Sequence, residues 1–155
     1  MLVRIFLDQG MNKNCAFDGG PFYDCRLPSK EFWGPYATTR DFHQALAGDA
    51  DVDTEYADLP DNIIELFEFY RQFDAKLVLT HGDLSNLNMM VKGDKVVGLL
   101  DWEIARWLPP YWEYTCAKCI NSQNVFWAEE VDKFLEPMPY ELKMEGIRQK
   151  YFSAL

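Results

Sequence analysis

His81-Gly82-Asp83-Leu84-Ser85-Asn86-Leu87-Asn88 runs straight into Met89-Met90-Val91-Lys92, a Gly93-Asp94 pair, Lys95-Val96-Val97-Gly98-Leu99-Leu100 and then Asp101-Trp102-Glu103. Two short strand-like runs joined by Gly-Asp read as a β-hairpin. Asn88 then stands at the entrance of the first strand and Asp101 at the exit of the second. Antiparallel pairing brings such sequence-distant ends side by side. The stretch therefore predicts a central β-hairpin whose open end gathers Asp83, Asn88 and Asp101 on flanking loops.

Outward from it, Lys76-Leu77-Val78-Leu79-Thr80 reads as a short buried strand delivering the chain to His81. Asp61 opens a helix whose Ile63, Ile64, Phe67 and Tyr70 or Arg71 recur at helical spacing, continuing to Phe73. Thr38 or Thr39 caps an earlier helix through Asp41–Ala47, stopped by Gly48, with Phe42, Ala45 and Leu46 on one face and His43 beside them as a surface or packed histidine. Between these helices, Asp49, Asp51, Asp53, Glu55 and Asp58 alternate like a calcium loop. The glycine and closing glutamate of such a loop are missing at the required offsets, which favours a solvated acidic loop. Downstream, Pro109-Pro110 forces a break, and helices are expected from Tyr111 through Ile120, from Phe126 to Leu135, and from Tyr140 towards Phe152. Residues 1–36 carry Gly, Pro and aromatic punctuation and read as an irregular segment with no catalytic constellation of its own. The layout is α+β, mostly α, and residues 1–155 read as one domain.

Composition narrows the function classes. With 155 residues, 48% apolar and 15% aromatic, the chain can bury a real core. A net charge of -10 argues against a nucleic-acid partner, which calls for a basic face. No apolar run reaches the ~18–20 residues of a membrane span, and Met1–Leu7 is too short for a signal-peptide core. The expectation is a soluble cytoplasmic protein. Four cysteines without an export signal read as reduced thiols, and Cys116-x-x-Cys119, in a helix-like segment without a second ligand pair, as structural rather than zinc-binding or redox-active.

Phosphoryl transfer from a nucleotide requires a group that orients the attacking hydroxyl and accepts its proton, plus oxygen ligands that hold Mg²⁺ against the phosphates. Asp83 suits the first task and Asn88 with Asp101 the second. The five-residue offset from Asp83 to Asn88 lets one tight loop aim one side chain at the acceptor and the other at the metal. The residues at positions 81–88 and 100–102 resemble the aminoglycoside phosphotransferase family, of kinase-like fold, with its His-Gly-Asp-x-x-x-x-Asn loop and following Ile/Leu-Asp-Trp/Phe element. Asp18-Gly19-Gly20-Pro21, Gly34-Pro35-Tyr36, Arg40-Asp41-Phe42-His43 and Tyr111-Trp112-Glu113-Tyr114 look like the fungal branch of that family, over about residues 17–125.

The resemblance implies ATP as phosphate donor, Mg²⁺ as cofactor and a hydroxylated small molecule as acceptor. It implies Asp83 as catalytic base, Asn88 and Asp101 as metal ligands, and His81 as the brace of the loop. Ser85 joins the cofactor-binding set or merely shapes the loop with Asn86. Glu103 is either a metal-water or substrate contact or a structural hydrogen-bonding group. Enzymes of this kind carry a smaller lobe upstream, with a phosphate-covering loop and a strand lysine, and neither pattern is found before Asp83. The resemblance therefore implies the C-terminal lobe alone, as from a truncated gene, with an apolar face open to self-association. A non-catalytic binding or remnant domain is the alternative reading.

Overall fold

The computed structural model describes residues 14–16, 19–21, 23–24, 26–27, 29–119 and 125–153. Met1–Leu7, Asp18 of the Asp-Gly-Gly-Pro run, Cys25 and the Ile120 end of the third expected helix lie outside these residues. Five helices form the bulk of the described fold: α1 (Thr39–Leu46), α2 (Asp61–Gln72), α3 (Tyr111–Cys119), α4 (Val125–Val131) and α5 (Pro139–Phe152). The start of α1 is set by a reciprocal capping box, in which the Thr38 hydroxyl accepts from the Asp41 N–H and the Asp41 carboxylate accepts from the Thr38 N–H. Gly48 follows its end at a φ of 64°, a conformation glycine adopts without strain.

Helix α3 is buried on nearly every side, through Tyr111, Trp112, Tyr114, Thr115, Cys116 and Ala117. Such a helix sits inside a fold rather than on it. On one side Phe42, Leu46, Leu66, Phe67, Tyr111, Trp112, Met144 and Ile147 form the main core with α1, α2 and α5. On the other, Tyr114 and Ala117 meet Leu84, Trp127 and Val131. Leu84 therefore ties the 81–88 loop to the helical core. His43 proves fully buried, its Nε2 2.8 Å from the Tyr111 hydroxyl and its ring stacked on Tyr70. Burial, aided by the Arg40 charge, lowers its pKa to about 3.

The expected hairpin is present as β3 (Met89–Lys92) and β4 (Lys95–Leu99), turning at Gly93-Asp94. Gly93 has a φ of 65°, and a positive φ at the first turn residue matches the twist of paired strands. A bulge falls between Met90 and Val91.

A second sheet contains the strand expected within Lys76–Thr80, but that strand's sheet partners escape the sequence reading. β1 (Cys15–Ala16) and β2 (Val78–Thr80) flank β5 (Arg106–Leu108), all antiparallel. β1 and β5 are two and three residues long, too short for period-2 alternation to register, and the pairing is non-local. The segment before residue 36 is thus irregular in part only, since it supplies β1, a 3₁₀ turn at Lys30–Phe32 and a bridge from Asn14 to Tyr36. Two further corrections concern helices. Ile64 is exposed, and Leu66 and Phe69 take the buried positions of α2, whose inner stripe faces α5. The helix expected to reach Leu135 ends at Val131, after which the chain turns. No helix among the described residues is long and apolar enough to cross a membrane. Cys15 and Cys116 are buried free thiols and Cys119 a half-buried one.

Candidate active site

Strand β2 ends at Thr80, and the chain then turns sharply through Gly82, whose φ is 85°. His81 is buried here and joins two segments. Its Nδ1 accepts from the Asp83 N–H at 3.3 Å, which leaves the Nε2–H to donate to the Leu100 carbonyl at 2.7 Å. The edge of Trp102 packs against the same ring, with centroids 4.8 Å apart. The ring thereby fixes the 81–88 loop against the Leu100–Trp102 segment.

The hairpin brings the other residues in. The Leu100 N–H donates to the Asn88 carbonyl at 2.9 Å, carrying the ladder one step past the Met89–Leu99 pair. Asn88 and Leu100 therefore face each other, and Asp101 follows directly. The Asn88 Nδ2 donates both to the Asp83 carboxylate at 3.0 Å and to the Asp83 carbonyl at 2.8 Å. One carboxamide thus orients Asp83 and leaves its own Oδ1 available as an oxygen donor. The two side chains aimed by this loop touch, where the spacing alone suggested separate targets.

Asp101 has a φ of 61° and an exposed side chain with no protein partner among the described residues. Asp49 and Asp58 share this left-handed conformation, which aspartate tolerates better than most side chains. Ser85 accepts the Asn88 N–H through its carbonyl at 3.1 Å, while its hydroxyl bonds to none of these side chains. Glu103 lies exposed in the turn closed by the Ala105 N–H on the Trp102 carbonyl, and its carboxylate makes no hydrogen bond among the described residues. Among the described residues the structural hydrogen bond considered for Glu103 is not made. Asp83, Asn88 and the 100–101 segment are brought together, whereas Ser85 contributes backbone and Glu103 stands apart in the turn.

Beneath the loop lies a layer that sequence reasoning missed. The Glu113 carboxylate, on the first turn of α3, accepts from the His81 N–H at 2.5 Å and from the Gly82 N–H at 3.3 Å. Burial raises its pKa, against the pull of those two backbone donors. Arg106 of β5 sits against Gly82 and donates to the Asp24 carboxylate at 2.8 Å and to the Tyr23 carbonyl. Burial alone would raise the pKa of Asp24, but Arg26 and Arg106 outweigh it and hold the carboxyl below its ordinary value. Arg26 stacks 3.4 Å over Trp112 and contacts the Cys116 sulfur, which gives that thiol a packing role. Cys116 itself is pushed up by burial, away from the reactive thiolate. A charged residue in a short apolar strand, such as Arg106 beside Trp107 and Leu108, was the available signal, because buried charges need partners.

The acidic loop holds itself together. Asp51 accepts from the Asp53 N–H at 3.0 Å and the Thr54 hydroxyl at 2.7 Å, and Asp53 pairs with Arg40. Among the described residues no three His, Cys, Asp or Glu side chains group as a metal site. The oxygen donors Asn88 and Asp101 suit a different arrangement, since Mg²⁺ is commonly held by one or two side-chain oxygens and completed by phosphate and water.

Residues 23–138, the greater part of the chain, match the model of the phosphotransferase enzyme family (APH). The matched span contains the 81–88 loop, the hairpin and Glu113. No curated protein and no solved structure matches the chain.

Proposed function

This chain belongs to the phosphotransferase enzyme family, and from that premise we propose that it transfers the terminal phosphoryl group of ATP to a hydroxyl of a small molecule. The observation that carries the proposal is the Asp83–Asn88 contact at the open end of the hairpin, with Asp101 one residue past the Asn88–Leu100 pairing. In the reaction the acceptor oxygen forms a bond to phosphorus, the bond to the ADP oxygen breaks, and Asp83 takes the hydroxyl proton. Asn88 Oδ1 and Asp101 would hold Mg²⁺, which supplies charge neutralisation at the phosphates. His81 keeps Asp83 and the Leu100–Asp101 segment in fixed relation. The Ser85 hydroxyl is offered to the nucleotide, and the unengaged Glu103 carboxylate to a metal-bound water or the substrate.

Met90, Val91, Val97 and Leu100 leave apolar side chains exposed on the hairpin. Their position beside Asn88 and Asp101 favours a flat ligand such as a nucleobase over solvent. The described fold serves as the larger lobe of a kinase-like enzyme, acting in the cytoplasm with its thiols reduced. The test is incubation with Mg·ATP and a panel of hydroxylated small molecules, read as ADP release and acceptor phosphorylation. Phosphorylation that is lost in Asp83→Asn supports the proposal. Undiminished turnover in that variant removes Asp83 from the chemistry.

A further inference from the structure

We infer that Leu87 is a specificity-determining residue for the acceptor, and that the hydroxyl phosphorylated here sits on an uncharged, apolar body. The inference rests on the phosphotransferase reading and narrows its acceptor from any hydroxylated small molecule to an alcohol of that class. Leu87 is 83% exposed, more than any other large hydrophobic side chain among the described residues, and it belongs to none of the three buried clusters. The turn that carries it has no use for a leucine either. The Asn88 N–H donates to the Ser85 carbonyl at 3.1 Å, which puts Asn86 and Leu87 at the two central positions of the turn. Asn, Asp, Gly and Ser are the residues with a conformational reason to occupy such positions. Neither core packing nor turn chemistry calls for leucine at 87.

What remains is its place in the site. Leu87 directly precedes Asn88, whose carboxamide donates to the Asp83 carboxylate at 3.0 Å. From the facing segment, Trp102 leaves 36% of its surface open while its edge packs on His81, the ring that accepts the Asp83 N–H. Each of the two side-chain contacts that hold Asp83 therefore brings an open apolar side chain with it. Charge narrows the acceptor further. Residues 81–88 and 100–103 carry three carboxylates, Asp83, Asp101 and Glu103, and no Lys or Arg. An anionic acceptor is repelled there, and a polyol gains nothing by covering leucine and indole, whereas an apolar body takes both out of water. The chemical step is unchanged: the alcohol oxygen bonds to phosphorus, ADP leaves and Asp83 takes the proton.

The test uses the full chain with Mg·ATP and three acceptors: 2-phenylethanol, its carboxylated relative 3-phenyllactate, and glycerol. 2-Phenylethanol should be phosphorylated with a kcat/KM at least ~10-fold above the other two. Leu87→Ser puts a turn-compatible residue at a position outside every buried cluster, so the variant should fold. Its KM for 2-phenylethanol should rise by ~10-fold, the scale of a lost methylene contact, with kcat within ~3-fold of the parent. A preference for glycerol or 3-phenyllactate, or an unchanged KM in folded Leu87→Ser, overturns the inference. A second measurement does not depend on turnover. Titration of 2-phenylethanol without nucleotide, followed by NMR, should give saturable shifts at the Leu87 amide and the Trp102 indole N–H that disappear in Leu87→Ser. No such shifts in the parent, or the same shifts in the variant, overturn the inference. Saturable shifts in the parent that are lost in the variant, with no acceptor phosphorylated, support the Leu87 site and overturn the phosphotransferase reading instead.

Discussion

Replacing Gly82 with alanine should be the most damaging single-methyl addition in this fold, and its size can be worked from the local geometry. At a φ of 85°, an L side chain carries a backbone penalty of about 1–2 kcal/mol. The added Cβ would also lie 2.8 Å from Arg106 Nη2, 3.2 Å from its Cζ and 3.3 Å from the Ile104 carbonyl. Arg106 is not free to swing aside, because it is bonded to Asp24 and to the Tyr23 carbonyl in a buried setting. Overpacking of this kind costs about 1–3 kcal/mol more. The expected total is about 2–5 kcal/mol. Gly93→Ala provides the control, since Gly93 has a φ of 65° but nothing within 4 Å of the added Cβ, so only the backbone penalty applies. Urea unfolding of both variants, at unchanged m-value, measures the difference. A gap of about 1–3 kcal/mol is expected. A gap below about 0.5 kcal/mol would refute the idea that Gly82 is required by the buried Arg106.

Other perturbations follow from the same geometry. Gly146 lies exposed within α5 with open space around its Cβ, so Gly146→Ala should stabilise the protein by about 0.5–1 kcal/mol; a lower melting temperature would mean the position is not an ordinary helical one. His43 has a folded pKa of about 3 against an ordinary 6.5, so the unfolded chain binds the extra proton between those values and stability falls as pH drops through that window. From pH 7 to pH 5 the expected loss is about 2 kcal/mol; His43→Phe should flatten that slope, and an identical slope in parent and variant would exonerate His43. Asp101→Gly removes a side chain with no partner among the described residues and relieves its positive φ, so the unfolding free energy should stay within about 0.5 kcal/mol of the parent. A loss above 1 kcal/mol would show that the carboxylate is structural.

What the chain's sequence disclosed divides along a physical line. Features carried by local signals were legible: a cap at Thr38 or Thr39, the Gly93-Asp94 turn, the hairpin and the order His81, Asp83, Asn88, Asp101 all depend on residues close in sequence. Pairing across the hairpin then converts a local pattern into the site's geometry. Of the three-stranded sheet only β2 was legible, as the strand expected within Lys76–Thr80; β1 and β5 were not, because strands of two or three residues carry no period and their pairing is non-local. Ile64 shows a related ambiguity, since adjacent isoleucines both fit a helical stripe and only packing against α5 selects Ile63. The support of the site was hidden for a third reason. Glu113 and Arg106 read as ordinary charged residues until the fold buries them against Gly82, and nothing in their spacing ties them to a loop so distant in sequence.

If Asn88 and Asp101 hold a divalent ion for a nucleotide beside Asp83, isothermal titration of ATP with and without Mg²⁺ will register it. Binding should require Mg²⁺, fall by at least about tenfold in folded Asp101→Gly, and persist in Asp83→Asn, where turnover is lost. ATP binding that is indifferent to Mg²⁺, or equal in Asp101→Gly and the parent, would contradict it.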